Sequence, residues 1–209
     1  PLDIRGISNL PDEHPYLLCP NHASLMDPII VVASLPTKHL DRLVFLGAEQ
    51  FFTSRLMRRL ARIGRVIPTA SSDTVLLSLQ RAAEAVSLGY SVCIFPEGFV
   101  TRDGYLQRPR PGMGILSWEL DLPIVPVLLR GTFSVMSYTH PAFRFRPIGI
   151  TVGRPIVPER KESDESGDYS DRLQQWHRAV SRLRAEDDAS DSRTAGLSPR
   201  IRKERSADE

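Results

Sequence analysis

The stretch Tyr16-Leu17-Leu18-Cys19-Pro20-Asn21-His22-Ala23-Ser24-Leu25-Met26-Asp27-Pro28, followed by Ile29-Ile30-Val31-Val32-Ala33, is the one on which the reading of this chain turns. Tyr16 to Cys19 is short, apolar and closed by a proline, the pattern of a buried strand that stops before a turn. Asp27-Pro28 reads as a helix opening, with Asp27 as N-cap and Pro28 at the first helical position. His22 then falls on a loop at the carboxyl end of the strand, a common place for ligand contacts in α/β proteins. Asp27, five positions on, can fold back towards it. An imidazole titrates near neutral pH, and a carboxylate on its other nitrogen fixes the tautomer and stabilises the imidazolium. With the nucleophile supplied by a substrate, no catalytic Ser or Cys is needed. A loop histidine and a helix cap also fall at this spacing by accident, so a second motif has to decide.

That motif is Cys93-Ile94-Phe95-Pro96-Glu97-Gly98, again an apolar run ending in a turn with a charged residue. Together, Asn21-His22-x4-Asp27 and Phe95-Pro96-Glu97-Gly98 resemble the glycerolipid acyltransferase family, whose members acylate glycerol 3-phosphate, 1-acylglycerol 3-phosphate and related lysophospholipids. Pro123-Ile124-Val125-Pro126-Val127 is similar to the family's later Val-Pro block, and Gly131-Thr132 to the residues after it. The resemblance runs through residues 2–157. It implies that His22 and Asp27 form the catalytic dyad and that Glu97 and Gly98 help bind the acceptor. It further implies a mixed, largely parallel α/β sheet flanked by helices. In most of the family Glu-Gly is followed at once by Thr-Arg-Ser; here Thr101-Arg102 come two residues later. That spacing resembles the subset fused to acyl-activating enzymes or transporters, similar to 2-acylglycerophosphoethanolamine acyltransferases.

Length and composition fit one domain with a sizeable core: 209 residues, 41% hydrophobic and 25% charged. The chain opens on Pro1, which reads as a segment of something longer, with further domains expected in the full protein. No apolar run approaches the ~20 residues needed to cross a bilayer. The expected location is the cytoplasmic side of a membrane, by peripheral association. Cys19 and Cys93 both sit in core-strand runs, which suits reduced, buried thiols; Cys19 as a reactive thiol near His22 is the sharper alternative. Of the charged residues, 11 of 27 basic and 13 of 25 acidic lie after residue 158, leaving 16 basic against 12 acidic before it. A modestly basic body suits anionic phospholipid or an acyl carrier's phosphate. The excess is too small for nucleic-acid binding, and no stacking-aromatic pattern accompanies it.

Along the chain, Leu2 to Ile7 reads as an opening strand and Arg42 to Gly47 as another. Residues 51–63 place Phe52, Leu56, Leu60 and Ile63 at helical spacing among Arg55, Arg58, Arg59 and Arg62. That is either a membrane-interface helix or a core helix with a solvated basic face. Gly64-Arg65-Val66-Ile67-Pro68-Thr69 occupies the family's second block, which usually ends in an arginine contacting the acceptor phosphate. Here that position holds Thr69 or Ala70, and Arg65 is the neighbouring candidate. Ser72-Asp73 caps a helix from about Thr74 to Leu88, and strand, helix, strand order implies a parallel pair with a right-handed crossover. In the loop after Glu97, Thr101, Arg102, Arg108 and Arg110 are acceptor candidates, since guanidinium forks match phosphate oxygens. Gly112-Met113-Gly114 leads into a helix through Trp118, Pro123 to Leu129 is a buried strand, Ser134 to His140 a loop, and Phe145 to Val152 a last strand. His14 is read as solvated; His140 and His177 lack the company of a nearby carboxylate.

Residues 1–158 are thus read as the acyltransferase domain. Residues 159–186 form a charged, partly helical extension with Leu173, Trp176, Val180 and Leu183 on one stripe, and 187–209 a disordered tail. The expected chemistry is acyl transfer from an acyl-CoA or acyl carrier protein thioester to the hydroxyl of a lysophospholipid or glycerol phosphate. It needs no metal and no cofactor beyond that co-substrate. The rivals are an acyltransferase for another alcohol or amine, and a lipid- or acyl-carrier-binding module without turnover. No Gly-x-Ser-x-Gly elbow supports a serine hydrolase.

Overall fold

The apolar run from Ile124 to Arg130 is strand β6, and the sheet is built around it and the strand that precedes His22. The computed structural model describes residues 2–13, 15–48, 65–69, 75–137, 139, 142–157 and 169–197. Its strands are β1 (Leu2–Arg5), β2 (Leu17–Pro20), β3 (Leu43–Ala48), β4 (Val66–Thr69), β5 (Ser91–Cys93), β6 (Ile124–Arg130) and β7 (Ile148–Val152). Their spatial order is β1-β7-β6-β2-β5-β3-β4. Every pairing is parallel except β6 with β7, so the sheet is mixed and largely parallel. The helices are α1 (Asp27–Ser34), α2 (Thr37–Leu40), α3 (Val75–Ser87), α4 (Pro111–Glu119), α5 (Thr132–Val135) and α6 (Ser170–Leu197).

Successive strand residues face opposite sides of a sheet, and both sides here are covered. Leu18, Cys93, Val125 and Val127 pack with Ile30 and Val31 of α1 on one side. Leu17, Cys19, Val92, Ile124 and Leu128 pack on the other with Ala82 of α3, Met113 and Leu116 of α4, and Trp176 and Val180 of α6. The central strands therefore read as continuous apolar runs rather than alternating ones. Parallel pairing of β2 with β5 puts the chain ends after Pro20 and Cys93 on one rim.

Several boundaries differ from the sequence expectation. The first strand stops at Arg5 because Gly6 turns the chain at φ +70°, where a Cβ would meet the Val152 carbonyl oxygen at 2.2 Å. The last strand begins at Ile148 rather than Phe145, and the loop expected after Ser134 opens within the short helix α5. Asp27 is the first residue inside α1 rather than its N-cap, because its carboxylate is taken up by the preceding turn. The candidate helix over 51–63, Ala70, the Ser72-Asp73 cap, His14 and His140 lie outside the described residues.

One further difference concerns the C-terminal segment. Composition marks 187 as the start of a disordered tail, yet α6 continues to Leu197; residues 198–209 lie outside the described residues. Asp187 is the reason: it is buried and its carboxylate meets Arg5 of β1 at 3.2 Å and Arg130 of β6 at 3.1 Å. One turn-rich polar stretch is thereby pinned to two strands. Earlier in the helix, the fully buried Trp176 donates its indole N–H to the Cys19 carbonyl at 2.9 Å. Trp176→Ala is expected to lower the unfolding free energy by ~3–5 kcal/mol, from lost burial and the cavity left behind. Trp176→Phe is expected to cost less, ~1–2 kcal/mol, from the smaller ring and the lost indole hydrogen bond. Urea unfolding measures both, and a Trp176→Ala protein as stable as wild type would show that α6 is not part of the folding unit.

Candidate active site

The loop that leaves β2 is fixed before it reaches the histidine. Asn21 has left the strand, and its side chain continues the ladder instead: Oδ1 accepts from the Leu129 N–H at 2.7 Å and Nδ2 donates to the Leu129 carbonyl at 3.1 Å. His22 follows. Its Nδ1 lies 3.0 Å from Asp27 Oδ2, and because a carboxylate only accepts, Nδ1 carries the proton. That leaves Nε2 as the basic nitrogen on a side chain that is 15% exposed, while Asp27 is fully buried. The same Oδ2 also accepts the backbone N–H of Ala23 at 2.6 Å and of Ser24 at 2.7 Å. Asp27 sits in the first turn of α1, where the helix dipole favours a negative charge. The carboxylate is thus held by three donors before any substrate arrives.

The second motif closes over the first. The Phe95 ring stacks on His22, with centroids 4.0 Å apart and planes inclined by 23°. Glu97 turns inward rather than towards an acceptor: Oε1 accepts the His22 N–H at 2.6 Å and Oε2 the Gln107 N–H at 2.8 Å. Burial pushes its pKa up to about 7, further raised by the negative Asp27, and the two N–H donors and Arg184 pull it down without cancelling the burial. Thr101 is buried and its N–H donates to the His22 carbonyl at 2.9 Å. Both backbone groups of His22 are therefore held by the segment after β5. Gly98 adopts φ +77°, and a Cβ there would meet Arg110 Cδ at 2.5 Å. Arg110 lies across this turn, its Nε donating to the Glu97 carbonyl at 3.3 Å and its guanidinium 4.5 Å from the Phe99 centroid.

Among the residues singled out from sequence, His22, Asp27, Glu97, Gly98 and Thr101 come together. Arg102 follows Thr101 and is exposed on the same rim, as are Arg108 and Arg110. Arg65 is not part of this group. It precedes β4 at the amino end of the sheet, and its guanidinium donates to the carbonyls of Leu40, at 3.0 Å, and Asp41. It is set apart from His22 by the end of the strand at which it lies. Cys19 and Cys93 are free, fully buried thiols whose pKa values burial raises well above the ordinary range, which removes Cys19 as a nucleophile. Sequence reading assigned no role to Asn21, Phe95 or Gln107. Asn21 and Phe95 at least lie inside the two motifs, but Gln107 acts through its backbone, which leaves no side-chain signature.

Fold and site define an α/β protein with a hydrogen-bonded histidine–carboxylate pair on the carboxyl rim of its sheet. The chain belongs to the Acyltransferase family, whose model matches residues 1–130. Among curated relatives, a 1-acyl-sn-glycerol-3-phosphate acyltransferase of Limnanthes douglasii is 30% identical over 179 residues, covering 81% of this chain and 59% of the relative. A chloroplastic enzyme of the same description from Brassica napus is 30% identical over 137 residues, 64% of this chain and 38% of its own. The human alpha form is 21% identical, covering 82% and 60%. The chain spans about half the length of the curated relatives it matches. Its fold is that of the 1-acyl-sn-glycerophosphate acyltransferase crystal structure from Thermotoga maritima, with a TM-score of 0.72 at 18% identity, covering 88% of this chain and 71% of that one.

Glu97 gives this site a pH signature. Its folded pKa of about 7 lies above the ordinary 4.5, so the stability it contributes is complete below about 4.5 and is lost as pH rises through about 7. Gln cannot accept at its amide nitrogen, so Glu97→Gln is expected to cost ~1–3 kcal/mol at acid pH, where the wild-type carboxyl is protonated. The gap should narrow towards alkaline pH. Chemical denaturation across that range measures it, and a gap that widens instead would mean that the two N–H bonds outweigh burial and hold the carboxylate ionised.

Proposed function

We propose that this chain transfers a fatty acyl group from an acyl-CoA or acyl carrier protein thioester to the hydroxyl of a 1-acylglycerol-3-phosphate-type lysophospholipid, in phospholipid biosynthesis. The observation that carries the reading is the His22–Asp27 pair, with Nδ1 committed to a buried carboxylate and Nε2 left to a substrate. The names borne by the relatives support the acceptor class.

The acceptor hydroxyl gives its proton to His22 Nε2 as its oxygen bonds to the thioester carbonyl carbon. Asp27 stabilises the imidazolium that forms and keeps the ring from turning. When the tetrahedral intermediate collapses, the carbon–sulfur bond breaks and the departing thiolate takes the proton back from Nε2. The ester and the free thiol leave with the base restored. Exposed Arg102, Arg108 and Arg110, on the loop whose Thr101 holds the His22 carbonyl, are the cations nearest in sequence to the motif for the acceptor's phosphate. Gly98 shapes that loop, and Glu97 acts on it through the backbone. We further propose that the protein works at a membrane surface, where its acceptor resides; no helix among the described residues is long and apolar enough to cross a bilayer.

Thiol release is the direct test, with acyl-CoA and acyl carrier protein donors and a panel of lysophosphatidate and lysophosphatidylethanolamine acceptors. The panel is needed because the two extra residues before Thr101-Arg102 reshape the loop beside the base. His22→Ala is expected to lower acceptor-dependent release by ~100-fold or more, and Asp27→Asn by at least ~10-fold, with little change in KM. Release that needs no acceptor and survives His22→Ala would overturn the dyad. No release from either donor would leave a binding module.

A further inference from the structure

The segment Phe143-Arg144-Phe145-Arg146 alternates aromatic and basic residues, and the structure sorts the two kinds apart. Phe143 and Phe145 are 53% and 93% exposed, and their rings meet edge to face with centroids 5.1 Å apart. Arg144 and Arg146 instead line a groove of about 490 Å³ with Phe133, Ser134 and Ser137. Among the described residues neither guanidinium has a carboxylate partner. The segment is not a loose tether: the Arg144 N–H donates to the Val135 carbonyl at 2.9 Å, and a Cβ on Gly131 would meet the Pro147 carbonyl oxygen at 2.1 Å.

Topology gives this patch its place. The segment precedes β7, which runs antiparallel to β6 with Gly149 opposite Arg130, so it lies beyond the carboxyl end of β6. The neighbour of β6 is β2, whose carboxyl end leads to His22. Phe99 and Tyr105, on the loop after Glu97, are the other exposed aromatics among the described residues. All four therefore stand on the rim that carries the dyad. Exposed rings are costly in water, and rings interleaved with cations are the composition of a membrane interface.

We propose that Phe143-Arg144-Phe145-Arg146 is a docking loop for an anionic phospholipid surface, the two rings entering the acyl boundary and the two arginines taking a lipid phosphate in the groove. This rests on the reading above that the protein meets its acceptor at a membrane. Two donors in fork geometry suit phosphate oxygens, and the rings supply the apolar contact that a phosphate site for a soluble ligand does not need. The loop turns the rim towards the bilayer. A lysophospholipid then reaches His22 without passing through bulk water.

Co-sedimentation with vesicles of phosphatidylcholine alone, or mixed with phosphatidylglycerol, tests this without any acyl donor or acceptor. Its outcome is therefore independent of whether turnover is found. Wild type is expected to bind the mixed vesicles on the order of tenfold more tightly than the neutral ones. Phe143→Ser with Phe145→Ser should weaken binding to both by roughly tenfold. Arg144→Gln with Arg146→Gln should abolish the preference for the anionic vesicles. All four positions are exposed, so thermal melts confirm that the variants are folded. Wild-type binding by either double variant, or no vesicle binding by the wild type, would overturn the proposal.

Discussion

The interaction on which this site depends is the grip of the Glu97 carboxylate on two backbone N–H groups, those of His22 and Gln107. It joins the ends of two strands that are neighbours in the sheet but 75 residues apart in sequence. A buried carboxyl is costly, and here burial outweighs the hydrogen bonds enough to push the pKa up to about 7. That cost is accepted in return for geometry. The N–H of a loop residue would otherwise face solvent and leave its side chain free to move, whereas this one is tied at 2.6 Å, with the carbonyl of the same residue tied by Thr101. The imidazole is then stacked on Phe95 and bonded to Asp27. The result is an imidazole whose position and orientation are fixed in advance of any ligand.

The sheet makes that grip possible. β2 is flanked by β5 and β6, both parallel to it, so the loops after all three emerge on one rim. Asn21 fastens the first to β6, Glu97 and Thr101 fasten the second to the first, and Arg184 of α6 donates to the Gly104 carbonyl of the second loop at 3.3 Å. The last helix is thus part of the support of the site. Its indole anchors it beneath the dyad strand, at Cys19, and Asp187 anchors it at the rim through Arg5 and Arg130. With α3 and α4, this polar helix covers one face of the sheet.

What could be read from sequence follows from which physical signals are local. The central strands were legible because a strand covered on both faces must be apolar throughout, as Tyr16 to Cys19 and Ile124 to Leu129 are. The contact of His22 with Asp27 was legible because a turn of five positions lets the carboxylate fold back to the ring. Arg65 lies away from His22 because it precedes its strand, and in this parallel arrangement the amino ends lie on the opposite rim from the His22 loop. Glu97 was placed in the site, yet its direction was not readable, since its partners are backbone N–H groups that any residue carries. The helix beyond Glu186 was hidden for a related reason: polar composition predicts disorder unless a partner is known, and the partners of Asp187 lie on strands more than fifty residues away in sequence.

The proposed mechanism requires His22 to be dry on one side and open to a lipid on the other, and the rim separates the two demands. Everything below His22 is closed: Asp27 has no exposure, Asn21 and Glu97 are buried, and the thiols of Cys19 and Cys93 are walled into the strands. On the open side the described loops present exposed rings and guanidinium groups, from Phe99 and Arg110 to Phe145 and Arg146, beside the exposed Asp103. Water would cover such a surface at a cost. On the membrane reading proposed above, a phospholipid surface would cover it with tails against the rings and phosphates against the guanidinium groups, and would exclude water from Nε2 in the same step. The parallel sheet gathers these loops at one end, so that under that proposal the membrane contact and the approach to His22 share one face.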